Sequence, residues 1–141
     1  MKSKAPLALM EQLMMVLVFA LAAALCVQVF VLSDRASRRY EARDQAVLAA
    51  QNAAETLKSG RGDMGRRLSD AADRLGGDCA QGLLWVDYDE NWQPGGGTYR
   101  LTAQGTDSGV SGLAMAHVAV EWDGGELFSL DVAWQEVDGD A

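Results

Sequence analysis

The chain has 141 residues, enough for one domain and not comfortably for two. Its formal net charge of −8, from 20 acidic residues against 12 lysines and arginines, excludes the clustered basic surface that a nucleic-acid partner requires. Cys26 and Cys79 form neither a disulfide framework nor a metal-ligand spacing, so neither a disulfide nor a cofactor is expected.

Residues 1–6 read as a short basic leader carrying Lys2 and Lys4. From Leu13 to Leu32 there is no charged residue and one clearly polar one, Gln28. Twenty residues at helical rise match the roughly 30 Å hydrocarbon core of a bilayer. The apolar region of a signal peptide is only about 7–15 residues long, and Ser33-Asp34-Arg35 offers no small-x-small cleavage site. A retained anchor over 7–32 is therefore expected, in a single-pass protein of the cell membrane. Basic residues flank the run on both sides (Lys2 and Lys4; then Arg35, Arg38, Arg39 and Arg43), so flanking charge leaves its orientation open.

The helical pattern continues over 33–59 as an amphipathic second half. Ala36, Tyr40, Val47, Ala50, Ala54 and Leu57, with Arg43 in one place of the series, fall at steps of three and four and predict one narrow apolar stripe. No Gly or Pro interrupts the run before Ser59-Gly60, and a helix from Leu7 to Lys58 would be about 78 Å long. Residues 60–77 read as a loop and a short helix. Arg61-Gly62-Asp63 matches an integrin-type tripeptide that three residues reproduce by chance, and Asp63 suits an N-cap. Met64, Leu68, Ala71, Ala72 and Leu75 share a face of the short helix, and Gly76-Gly77 ends it.

Over 78–137 the period becomes two. Leu84, Val86 and Tyr88 form one inward set, and Tyr99, Leu101 and Ala103 a second. Ala114 to Trp122 supplies the third and Phe128 to Trp134 the fourth. Asp123-Gly124-Gly125 is a hairpin signal between the last two, and Gly-rich loops part the others. The fold class is α+β: a long N-terminal helix, transmembrane and then amphipathic, packs on a four-stranded antiparallel β-meander, with a short second helix between them. Residues 138–141 form an acidic tail.

Three groups are candidate sites. Asp87, Asp89 and Asn91 have the spacing that opens a calcium loop, but Trp92 stands where such a loop has Gly and Thr98 where it has Glu. This makes them a weak metal candidate beside the simpler reading of a solvated turn. Trp85, out of phase with Leu84 and Val86, and Trp92, at a turn, form a candidate contact surface unless the short helix covers them. His117, the single histidine, lies on the less apolar face of a strand with no nucleophile placed beside it by any motif, so no enzyme is expected.

Glu11 is the lone charge near the start of the apolar helix. Leu7-Ala8-Leu9-Met10-Glu11-Gln12-Leu13 resembles the prepilin motif of type IV pilins and of the pseudopilins of type II secretion and competence systems. The half-membrane, half-packed helix followed by an antiparallel sheet is similar to theirs. The resemblance covers the first 60 residues by motif and the rest by architecture. It implies cleavage between Pro6 and Leu7 by a prepilin peptidase, N-methylation, and sister subunits and an inner-membrane assembly platform as partners. It also implies an extracytoplasmic soluble domain and a role for Glu11 in assembly, as partner to a neighbouring subunit's N-terminal amine. The chain departs from the family with Pro6 where Gly is usual and Leu7 where Phe is common. A reading from another class needs only the anchor: a single-pass protein whose extracytoplasmic domain binds a partner or ligand without forming filaments.

Overall fold

The computed structural model describes residues 4–136; Lys2 of the leader and the tail over 138–141 lie outside them. Helix α1 spans Ala5–Ser59, α2 Met64–Leu75, and five strands follow: β1 Asp78–Ala80, β2 Leu83–Tyr88, β3 Tyr99–Thr106, β4 Leu113–Trp122 and β5 Gly125–Gln135. The chain divides into two compact units, one through Tyr40 and one from Glu41 onward. The first unit is the beginning of α1, and every described residue in it is exposed. Pro6 is accepted in the first turn of α1 because the amide it lacks would have no intrahelical partner there.

The second unit is a helix-on-sheet layer. Its strands pair antiparallel in the order β1-β2-β3-β4-β5, each beside its neighbour in sequence. One row of inward residues crosses all five strands in register: Cys79, Leu84, Ala103, Val118 and Leu130. Beside it run Val86, Leu101, Val120 and Phe128. These rows join Ala46, Ala50, Ala53 and Leu57 of α1 and Leu68, Ala71, Ala72 and Leu75 of α2 in one core. Coverage weakens toward β5, an edge strand on which Trp134 is buried but Phe128, Leu130 and Val132 are half-buried.

The sheet has five strands, not the four expected. The additional strand, β1, has a single inward residue, Cys79, too few to register as an alternation. Its turn into β2 is Gln81-Gly82, both at positive φ (53° and 77°), the two-residue geometry whose twist matches the flanking strands. Asp123-Gly124 makes the same kind of turn between β4 and β5 (φ 52° and 72°), as its sequence predicts. A bulge follows it: Val120 faces Phe128 and Glu121 faces Glu126, leaving Leu127 as the extra residue.

The stripe on α1 is also corrected. Ala36 and Tyr40 are exposed and Val47 is half-buried, whereas Ala42, Ala46, Ala50, Ala53, Ala54 and Leu57 are buried. Ala50, Ala54 and Leu57 of the expected stripe are kept, while Ala42, Ala46 and Ala53 replace its other members, a turn of the face by about 60°. Size misleads here, because Tyr40 and Val47 are the larger apolar groups but the buried positions are mostly alanine.

The join between the helices rests on Arg67. Its guanidinium donates to the carbonyls of Leu57 (3.0 Å) and Lys58 (3.3 Å) at the end of α1 and of Gly62 (2.9 Å) in the loop that follows. The same group sits 5.1 Å from the ring centre of Trp134, linking α1, α2 and β5. Asp63 caps α2 as expected, accepting from the amide of Arg66 at 3.1 Å, and Gly76 closes it in the left-handed region.

Two tests follow from this packing, read by urea unfolding of the full chain in detergent. Arg67→Ala should cost about 1–3 kcal/mol, the penalty for the part-buried Leu57 carbonyl losing a charged donor and for lost packing on Trp134. A Cβ on Gly77 would come within 2.2 Å of the Trp85 carbonyl oxygen, whereas one on Gly65 in α2 would meet nothing within 4 Å. Gly77→Ala should therefore destabilise by about 1–3 kcal/mol and Gly65→Ala stabilise by about 0.5–1 kcal/mol.

Candidate functional site

Two regions carry the candidate residues, and each lies within one unit. In the first unit, α1 contains a stretch long and apolar enough to cross a membrane, with none of that stretch buried. Leu13, Leu17, Phe19, Leu21, Leu25 and Phe30 are all more than half exposed. Glu11 stands at the start of this surface, and helical offsets of three, four and eight place Met14, Met15 and Phe19 on its side. It makes no hydrogen bond or ion pair with another described residue. Pro6 and Leu7, the expected cleavage point, occupy the first turn of the helix, where the amide of Ala8 bonds the carbonyl of Lys4 at 3.1 Å. Cys26 is exposed on the same helix.

In the second unit, one end of the sheet is aromatic. Tyr88, Tyr99 and Trp122 stand opposite one another on β2, β3 and β4, on the face that carries the core. Trp92 closes onto them, stacked on Tyr99 at 4.1 Å with the planes 15° apart and tilted on Tyr88 at 5.7 Å. Trp122 meets Tyr99 from the other side at 5.8 Å. The turn that delivers Trp92 is built on Asp89, whose carboxylate accepts from the amides of Asn91 (2.8 Å) and Gln93 (2.9 Å). Trp92 itself sits at φ 60°, a region that bulky residues avoid, and its amide bonds the carbonyl of Asp89. Ring stacking and the Asp89 turn hold it there.

This geometry separates residues that the sequence grouped together. Asp87 faces away from the core and takes a two-pronged bond from Arg100, its cross-strand neighbour, at 2.6 and 3.0 Å. Those bonds, and then the Asp87 charge, raise the Arg100 pKa further above its ordinary value. The carboxylates of Asp87 and Asp89 thus serve different partners, and no group of three or more His, Cys, Asp or Glu suited to a metal occurs among the described residues. Trp85 alternates with buried Leu84 and Val86, which puts it on the outward face, away from α2, while Trp92 packs on inward-facing rings. His117 bonds Asp131, directly opposite on β5, through Nδ1 at 2.6 Å.

Sequence reasoning missed Arg67, Tyr99 and Trp122 as organising residues. Tyr99 and Trp122 were legible only as strand residues in phase, because their alignment depends on register. Comparison with known proteins finds no match to a protein-family model, a curated protein or a solved structure.

Burial raises the Tyr88 hydroxyl pKa above its ordinary value of 10.0. The native state therefore keeps a proton that the unfolded chain releases. The stability tied to that proton is intact below pH 10.0 and is lost as pH rises through the native value. In alkaline titrations followed by tyrosinate absorbance, Tyr88→Phe should remove the ionisation that accompanies unfolding and weaken the pH dependence of stability above that point.

Proposed function

We propose that the protein is a structural subunit of the minor pilin or pseudopilin kind, held in the membrane by α1 until it polymerises into an envelope filament. It works by packing, not by catalysis. The observation that carries this reading is the composition of α1 itself. One unbroken helix begins as a wholly exposed apolar rod and ends with an alanine face that completes the core of an antiparallel sheet. A long apolar N-terminal helix followed by such a sheet is a type IV pilin-like architecture. Glu11 fits the same scheme, since a carboxylate at the edge of hydrocarbon is costly until it meets a positive partner, such as a sister subunit's N-terminal amine.

One observation favours the second reading, an anchored extracytoplasmic interaction module that does not assemble. Pro6 stands in the first turn of the helix, where the family's leader usually ends in Gly. The two readings differ in what happens to the chain.

Under the filament reading, protein recovered from its native membrane begins at Leu7 with an N-methyl group, as read by intact mass and N-terminal sequencing. Glu11→Ala then abolishes subunit–subunit cross-linking in the membrane while leaving the amount of inserted protein unchanged. A chain still beginning at Met1, with cross-linking indifferent to Glu11, would establish the anchored module instead.

A further inference from the structure

Past Leu32, α1 stays helical and turns basic at once. Arg35, Arg38 and Arg39 follow within seven residues, and all three are exposed. Offsets of three and four bring them onto one face of the helix. Asp34 bonds Arg38 at 3.1 Å, while Arg35 and Arg39 have no hydrogen-bonding or ionic partner among the described residues. Three arginines against one aspartate make this band positive in a chain whose net charge is −8.

The position of the band matters as much as its sign. At helical rise, Arg35 lies about 4.5 Å beyond Leu32 along the axis and Arg39 about 10 Å beyond it. The polar headgroup layer extends about 5–7 Å beyond the hydrocarbon on each side of a bilayer. An arginine stem can lie back along the helix while its charged end stays in the polar layer. All three guanidinium groups therefore reach the depth of the lipid phosphates, and the planar guanidinium fork matches phosphate oxygens in pairs.

We propose that Arg35, Arg38 and Arg39 form a binding site for anionic phospholipid headgroups in the leaflet where α1 leaves the hydrocarbon. The proposal rests on the reading of α1 as a membrane span. Arg35 and Arg39 supply the free charge, and Arg38 exchanges Asp34 for a phosphate when one is present. The site sets the depth of α1 in the bilayer, because sliding the helix inward would draw unpaired guanidinium groups into hydrocarbon. Sliding it outward would expose the row from Leu25 to Leu32 to water.

The test uses the full chain reconstituted in phosphatidylcholine vesicles containing a trace of spin-labelled phosphatidylglycerol or spin-labelled phosphatidylcholine. Resistance to carbonate extraction reports insertion separately. The inserted protein should hold phosphatidylglycerol in its motionally restricted boundary in preference to phosphatidylcholine, by about fivefold for each unpaired arginine. Sodium chloride should reduce the preference. The double variant Arg35→Gln/Arg39→Gln should bring it close to one; both residues are exposed, and unchanged far-ultraviolet circular dichroism confirms that the variant folds.

A ratio near one for carbonate-resistant wild-type protein would overturn the lipid site and leave the span standing. Extraction of the protein by carbonate would remove the span and the site together. A preference that survives in the double variant would assign the lipid to other residues. Inorganic phosphate that displaces the labelled lipid better than chloride at equal ionic strength would make this a free-anion site. Salt-sensitive self-association in pure phosphatidylcholine, lost in the double variant without any lipid preference, would give the arginines to a second copy.

Discussion

The apolar face of the sheet has to be kept from water, and the rest of the second unit is arranged around that demand. Five antiparallel strands put rows such as Cys79–Leu84–Ala103–Val118–Leu130 on one side, and at roughly 25 cal/mol per Å² such a surface does not stay exposed. The cover comes from upstream in the chain. Ala46, Ala50, Ala53 and Leu57 of α1 join the core over the strands, together with Leu68, Ala71, Ala72 and Leu75 of α2. Burying the end of α1 would strand its last carbonyls, and Arg67 answers that by donating to two of them. Core, helix pairing and capping are thus a single requirement met in three places.

The two faces of the sheet divide the chemistry. Outward positions carry cross-strand polar pairs, Asp87 with Arg100 and His117 with Asp131, each on directly facing residues. Exposed pairs of this kind contribute little stability, but they fix register by rewarding one alignment of neighbouring strands. The inward face ends in rings, where Tyr88, Trp92, Tyr99 and Trp122 stack along one end of the core. Edge strand β5 is only half covered, so local opening is expected to begin there and not at β2 or β3.

What was legible in the sequence follows from the size of the signals. Strands β2 to β5 announce themselves because large residues alternate over six or more positions, and Asp123-Gly124 and Asp63 carry their own local chemistry. Strand β1 was not legible, since three residues with one inward side chain hold no periodicity. The helix was evident from Leu7 to Lys58, but its buried face was not. So many positions between 42 and 54 are alanine that several phases fit, and only the sheet chooses among them. Among candidate residues, Glu11 stands out as a charge in an apolar run. Arg67 does not, because its partners are backbone carbonyls about ten residues earlier, to which sequence is blind. Trp92 could be placed at a turn but not on Tyr99, which takes a left-handed residue and a settled register.

An alanine face also has a mechanical character. Methyl groups form low ridges, so most of this face offers the sheet little relief to lock into. The one tall knob, Leu57, and the Arg67 bonds to the terminal carbonyls both lie at the last turn of the helix. The end of α1 thus adds a large side chain and a charged donor to the alanine contacts that precede it.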